Sequence, residues 1–172
     1  MAKVIKSPAL QIYHIKAMVP YYEEGAIEMS DESPYRIIAV RPDMSLHELG
    51  IAVLDAFDFD DDHLFGFYDN IKRHYSSKVC FEHPQLIEQT EEDWDDFELN
   101  KQVYNMDEHC VSDIFTRKGK KWLMLFDYGD EWHFLLSFDD RATLKKGMEL
   151  PKVIKSKYDA PEQYPDYDED DE

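Results

Sequence analysis

The chain has 172 residues, 43% hydrophobic and 14% aromatic, which suffices for one packed domain and excludes wholesale disorder. Its 38 acidic and 19 basic residues give a net charge of −19, which argues against direct binding of DNA or RNA, since phosphate contacts need clustered Lys and Arg. The longest apolar run, Trp122 to Phe126, is five residues. A spanning helix needs about 20, so no membrane segment is expected.

Residues 10–19 (LQIYHIKAMV) read as a strand stopped by Pro20. Residues 21–34 are polar and acidic and read as a loop or irregular hairpin connection, and residues 35–40 (YRIIAV) as a second strand. Ser45-Leu46-His47-Glu48 then matches a capping box. Apolar residues follow at Leu46, Leu49, Val53, Ala56 and Phe57, so a helix is expected over 46–57 with one face on a sheet. Four acids among residues 58–62 oppose the dipole at its C-terminus, a local conflict of the kind that marks functional sites.

Short strands are expected at 63–68 and 78–82. Residues 88–98, with seven acids, read as an exposed loop or poor helix, and residues 108–115 as a single helical turn with Val111, Ile114 and Phe115 inward. The strongest strand signal is 120–139. Trp122, Met124 and Phe126 alternate with Leu123 and Leu125, then Trp132, Phe134, Leu136 and Phe138 alternate with His133, Leu135 and Ser137. This is a hairpin closed around Asp127-Tyr128-Gly129-Asp130. Residues 150–155 add a last strand that Pro151 pushes to an edge.

The expected fold is α+β, with a mixed or antiparallel sheet, one main helix packed across it, a β-grasp-like order of elements and an acidic C-terminal tail. Eight acids and no base fall in residues 159–172, leaving 30 acids against 19 bases, or −11, in the rest. A single domain is therefore assigned to 1–158 and a disordered acidic tail to 159–172.

Three stretches stand out together: residues 45–68 (SLHELGIAVLDAFDFDDDHLFGFY), residues 126–134 (FDYGDEWHF) and residues 160–165 (APEQYP). In this order they resemble the plasmid pRiA ORF-three-like family, also labelled insertion-element passenger proteins. The resemblance covers most of residues 10–167. It implies an α+β domain in a bacterial or archaeal cytoplasm and suggests a link with mobile DNA, but no reaction. A serine recombinase would need a nucleophilic Ser among arginines, and the sequence has no such cluster.

Two side-chain sets invite chemistry. Asp61, Asp62 and His63 would meet Asp127, Asp130, Glu131 and His133 if both stretches sit at one end of the sheet. Within this set Asp62, His63, Asp130 and His133 are the metal-ligand candidates, because carboxylates with imidazoles hold zinc, manganese or iron and such a metal activates water. The structural alternative has Asp130 capping the turn, Asp62 accepting amides at the helix exit and His63 donating to a carbonyl; alternation also turns His133 away from Trp132 and Phe134. The second set, Cys80, His83, His109 and Cys110, has short zinc-like spacings, but adjacent residues in an extended chain point apart. Otherwise the two cysteines read as reduced thiols.

No phosphate loop, nucleophile elbow, HExxH or CxxC motif is present. The expectation is a non-catalytic cytoplasmic interaction or adaptor module without a metal or other cofactor. Its partner would be a basic protein, met by Trp94 as anchor among Glu92, Asp93, Asp95 and Asp96, together with the tail. A metal-dependent hydrolase and an acidic mimic of nucleic acid are the alternatives.

Overall fold

The computed structural model describes residues 10–23, 26–28, 30–90 and 101–165. In chain order the elements are β1 (Gln11–Met18), β2 (Tyr21–Glu23), β3 (Ala26–Glu28), β4 (Tyr35–Val40), α1 (Leu46–Ala56), β5 (Phe65–Tyr68), β6 (Val79–Glu82), α2 (Pro84–Thr90), β7 (Gln102–Asn105), α3 (Val111–Ile114), β8 (Lys121–Phe126), β9 (Trp132–Thr143) and β10 (Lys152–Lys157). Eight strands join in the order β10-β4-β1-β9-β8-β5-β6-β7, and β2 pairs with β3 apart from them. Every pairing in the large sheet is antiparallel except β6 with β7. The architecture is thus mixed α/β, with a large, mostly antiparallel sheet and few helices.

The alternation in the hairpin decides how the sheet is buried. Trp122, Met124 and Phe126 of β8 join a core with Leu46, Leu49 and Val53 of α1, and with Phe134, Leu136 and Phe138 of β9. Leu123 and Leu125 turn to the other face and pack with Tyr68 and Cys80. Both faces of β8 are buried, so its side chains form an unbroken apolar run. The hairpin lies in the same sheet as both early strands, because β9 pairs with β1 and β1 with β4. β10 is an edge strand on β4, exposed along its whole length, as Pro151 suggested.

α1 begins where the sequence placed it. Ser45 Oγ accepts from the Glu48 amide at 3.1 Å, and Glu48 Oε2 accepts from the Ser45 amide at 3.1 Å. Its other end resolves the conflict with the dipole. Phe57 is the C-cap, Asp58 follows in the left-handed region at φ 56°, and two amides turn back: Asp58 to the Asp55 carbonyl (3.2 Å) and Phe59 to that of Leu54 (2.9 Å). This is the Schellman closure, with Asp at the position that favours glycine. Phe59 is buried and packs edge-on against Trp132 at 4.8 Å. The missing cation comes from another strand: buried Arg36 of β4 donates through Nε to the Ala56 carbonyl (3.0 Å) and through Nη1 to the carbonyls of Tyr35 (2.9 Å) and Tyr158 (2.9 Å).

Two elements fall in segments that the sequence left largely unassigned. Residues 84–90 are helical, with Pro84 in the first turn, where its missing N–H costs nothing, and His83 Nδ1 accepting from the Gln85 amide at 3.2 Å. Residues 102–105 form a strand that the four-residue segment QVYN did not announce, because its pairing to β6 is parallel and long-range. The residues around Trp94, with Glu92, Asp93, Asp95 and Asp96, and residues 166–172 of the tail lie outside the described residues.

Candidate functional site

The α1 exit sets the position of the site. Once Phe59 is buried, residues 60–64 run along the surface toward β5 and carry Asp61, Asp62 and His63 past the β8–β9 turn. That turn is built on Asp127, at φ 60°, whose Oδ1 accepts from the Gly129 (3.0 Å) and Asp130 (3.3 Å) amides. The capping carboxylate is therefore Asp127, where the structural reading of the sequence had placed Asp130. The final described segment reaches the same spot. Gln163 takes both backbone groups of Asp60, accepting from its N–H at 2.7 Å and donating to its C=O at 3.1 Å.

The polar groups then close on one another. His63 Nδ1 lies 2.9 Å from Asp62 Oδ1, and its Nε2 lies 3.6 Å from Asp127 Oδ2. Tyr164 donates its hydroxyl to Asp62 Oδ2 at 2.5 Å, and Gln163 Nε2 donates to Asp62 Oδ1 at 3.1 Å. Asp62 and His63 thus find side-chain partners, not the backbone amides and carbonyl that the sequence suggested. The Tyr164 hydroxyl, and after it His63, holds the Asp62 carboxyl below the usual carboxylate range. The hydrogen bond to Asp62, followed by the charges of Asp127, Asp62 and Asp130, raises His63. Tyr164 is pushed up to about 12 by donating to Asp62. Three carboxylates face one imidazole, so the site stays net negative even with His63 protonated.

Beside this network opens a concave pocket of about 430 Å³ lined by Asp61, Asp62, His63, Leu64, His83 and Gln85. Asp61 makes no hydrogen bond or ion pair within the described residues, so its charge is available to the pocket. His83 contributes an imidazole that burial, and then the charge of His47 with its ring 4.8 Å away, pushes below the usual range against the opposing charges of Asp107 and Asp61.

The other sequence candidates are dispersed. His133 lies opposite Leu125 in the β8–β9 register, on the face of the second core, and its ring is 5.8 Å from that of His74. His63 instead stands edge-on to Phe126, whose side chain belongs to the first core. Asp130 stays near enough to act on His63 through its charge. Cys80 lies in the second core, whereas His109 packs on Phe81 at 5.0 Å, on the opposite face. Cys110 lies 3.2 Å from Ser112 Oγ. Among the described residues no three His, Cys, Asp or Glu side chains are grouped as a metal site.

Sequence reasoning missed Gln163 and Tyr164 as site residues, although both stand in the 160–165 stretch that carried the resemblance. It also missed a triad around a buried carboxylate: Tyr68, buried, and Tyr128, partly exposed, donate to the two oxygens of Glu82 at 2.6 and 2.7 Å, over Gly66. Burial raises both phenols. The β5–β6 register brings Glu82 beside Tyr68, and the pairing of β5 with β8 brings in Tyr128 from the turn after β8.

All three stretches that carried the resemblance therefore meet at His63. No curated protein matches the chain. Among solved structures it is similar to MM3350 of Methanosarcina mazei Go1, a protein of unknown function, with a TM-score of 0.60 and 19% identity over 88% of this chain and 72% of that one. At that identity the likeness concerns the fold. The family model of the plasmid pRiA4b ORF-3-like protein matches residues 26–165, and the chain belongs to that family.

Proposed function

We propose that the protein is a non-catalytic interaction module of the cytoplasm that receives a basic side chain of a protein partner in the pocket beside His63. The observation that carries this reading is the concave, net-negative pocket with Asp61 uncommitted at its wall. Asp62, His63, Asp127 and Tyr164 are engaged with one another, which suits a rigid recognition surface better than a reacting centre. A Lys or Arg side chain offers N–H donors to the Asp61 carboxylate and the Gln85 carbonyl, and surrounding acids steer it in. In sequence, α2 is followed by the acid-rich residues around Trp94, so the chain carries further negative charge. The passenger label of the family points to mobile-element products as the place to seek the partner.

The test is capture of basic proteins from host extract, followed by dissociation kinetics on the strongest hit with the full chain. Asp61→Asn is expected to weaken binding roughly two- to fivefold at low salt, and the difference should shrink above about 0.15 M salt. An affinity insensitive to both changes would refute the reading. One equivalent of zinc, manganese or iron, lost in a folded His63→Ala variant, would replace it by the metal-dependent hydrolase.

A further inference from the structure

We propose a second site, at the opposite end of the sheet, that binds a small organic anion with an apolar body. A concave pocket of about 520 Å³ lies there, with Ile12, Met148 and Ile154 among its apolar walls and Lys145, Lys146 and Lys152 supplying its charge. This volume falls within the roughly 300–1,000 Å³ of small-molecule sites. No carboxylate lines the pocket, although acids outnumber bases two to one in the whole chain. The cross-strand neighbour of His14, Asp140, is ion-paired with Lys118 at 3.6 Å. Among the described residues none of the three lysines has a carboxylate partner.

The backbone shapes this pocket. The two register shifts in the large sheet both fall at its wall: one opposite His14 of β1, and one in β10 that leaves Ile154 as the extra residue between Val153 and Lys155. Bulges re-aim side chains and are concentrated beside functional sites. The rim is a tight turn closed by the Met148 amide on the Lys145 carbonyl at 3.1 Å, with Gly147 at φ 80° in its third position. Such a turn requires glycine there and presents Lys145 and Lys146 side by side. The twelve residues of β9 separate this pocket from the His63 site, roughly 40 Å at about 3.3 Å per residue. That distance is several Debye lengths at physiological salt, so the acidic site does not cancel the positive field here.

The experiment is a titration of the isotope-labelled full chain, followed by amide NMR shifts, with hexyl phosphate, hexanoate, inorganic phosphate and hexanol as probes. The expected result is saturable shifts confined to residues 12–14, 142–148 and 152–154. Hexyl phosphate or hexanoate should bind roughly tenfold or more tighter than phosphate or hexanol alone, because both charge and apolar body are used. The tighter of the two amphiphiles assigns the head group. Each single Lys→Gln change at Lys145, Lys146 or Lys152 should weaken binding roughly two- to fivefold, and the triple variant roughly tenfold or more. Ile154→Ser should weaken the amphiphile and leave inorganic phosphate unchanged. All four side chains are exposed, so the variants are expected to fold, with melting curves as the control. Shifts that spread over the whole surface, no saturation at these residues, or an unchanged affinity in the folded triple variant would overturn the proposal.

Discussion

Replacing Gly50 by alanine sets two effects of opposite sign against each other. Alanine is the best helix former and glycine costs about 1 kcal/mol in a helix interior, so on an exposed face the change would stabilise α1. Gly50 is buried, and a Cβ there would lie 2.0 Å from Phe65 Cε2, 2.5 Å from Cζ and 2.8 Å from Cδ2. Non-bonded carbons settle about 3.5–4.0 Å apart, so the ring would have to move by about 1.5 Å. Phe65 has little room to do so: it is 1% exposed, stands edge-on to Phe67, His47 and His83, and its strand is paired on both sides. Overpacking of this kind costs about 1–3 kcal/mol, and the close approach to an immobile ring puts it at the upper end. Net of the propensity gain, Gly50→Ala should destabilise by about 2 kcal/mol, a fall in melting temperature of about 4–8 °C at this chain length. Urea denaturation of wild type, Gly50→Ala, Phe65→Leu and the double variant is the assay. The double variant should lose well under the sum of the single losses, because the smaller side chain releases the clash. A Gly50→Ala protein as stable as wild type, or more so, would refute the packing of α1 on β5 described here.

Asp58→Gly should raise stability by up to about 1 kcal/mol in the same denaturation assay, since it relieves a left-handed Asp and leaves the two returning amides in place. Arg36→Met keeps the apolar stem but strands carbonyls at the end of α1 and at Tyr158, at a cost of about 1–3 kcal/mol by urea denaturation. Tyr128→Phe removes one of the two donors to buried Glu82 and should cost about 1–3 kcal/mol, whereas Tyr75→Phe on the surface should cost nearly nothing. The His63 site should show a pH window. His63 is raised, so its contribution is complete below about pH 6.5 and lost as pH rises through the folded value; Asp62 is lowered, so its contribution is complete above about pH 4 and lost as pH falls through the folded value. His63→Gln should therefore lose stability against wild type near pH 5.5 and match it well above neutrality, and NMR titration of Tyr164→Phe should find Asp62 closer to its ordinary value.

Local patterns in the sequence determined much of this protein. The capping box at Ser45, the spacing of Leu46, Leu49 and Val53, and the double alternation from Trp122 to Phe138 each depend on contacts within a turn or on side-chain period, so the helix and hairpin were legible without a partner. Pro151 marked an edge for the same local reason. Tertiary structure decided the strand order, the parallel pairing of β7 on β6 and the burial of Glu82 between two tyrosines, because these link residues far apart in the chain and leave no periodic trace. The run of acids after α1 shows how the two levels meet. As sequence it opposed the helix dipole; in the fold Arg36 arrives from β4 to supply the cation, Asp58 serves as the left-handed cap, and Asp62 is turned toward His63 and Tyr164. Asp62 and His63 could be singled out from residue type alone. Their companions could not, since it is the closure of α1, the Asp127 turn and the return of residues 160–165 that bring three separate stretches to one point.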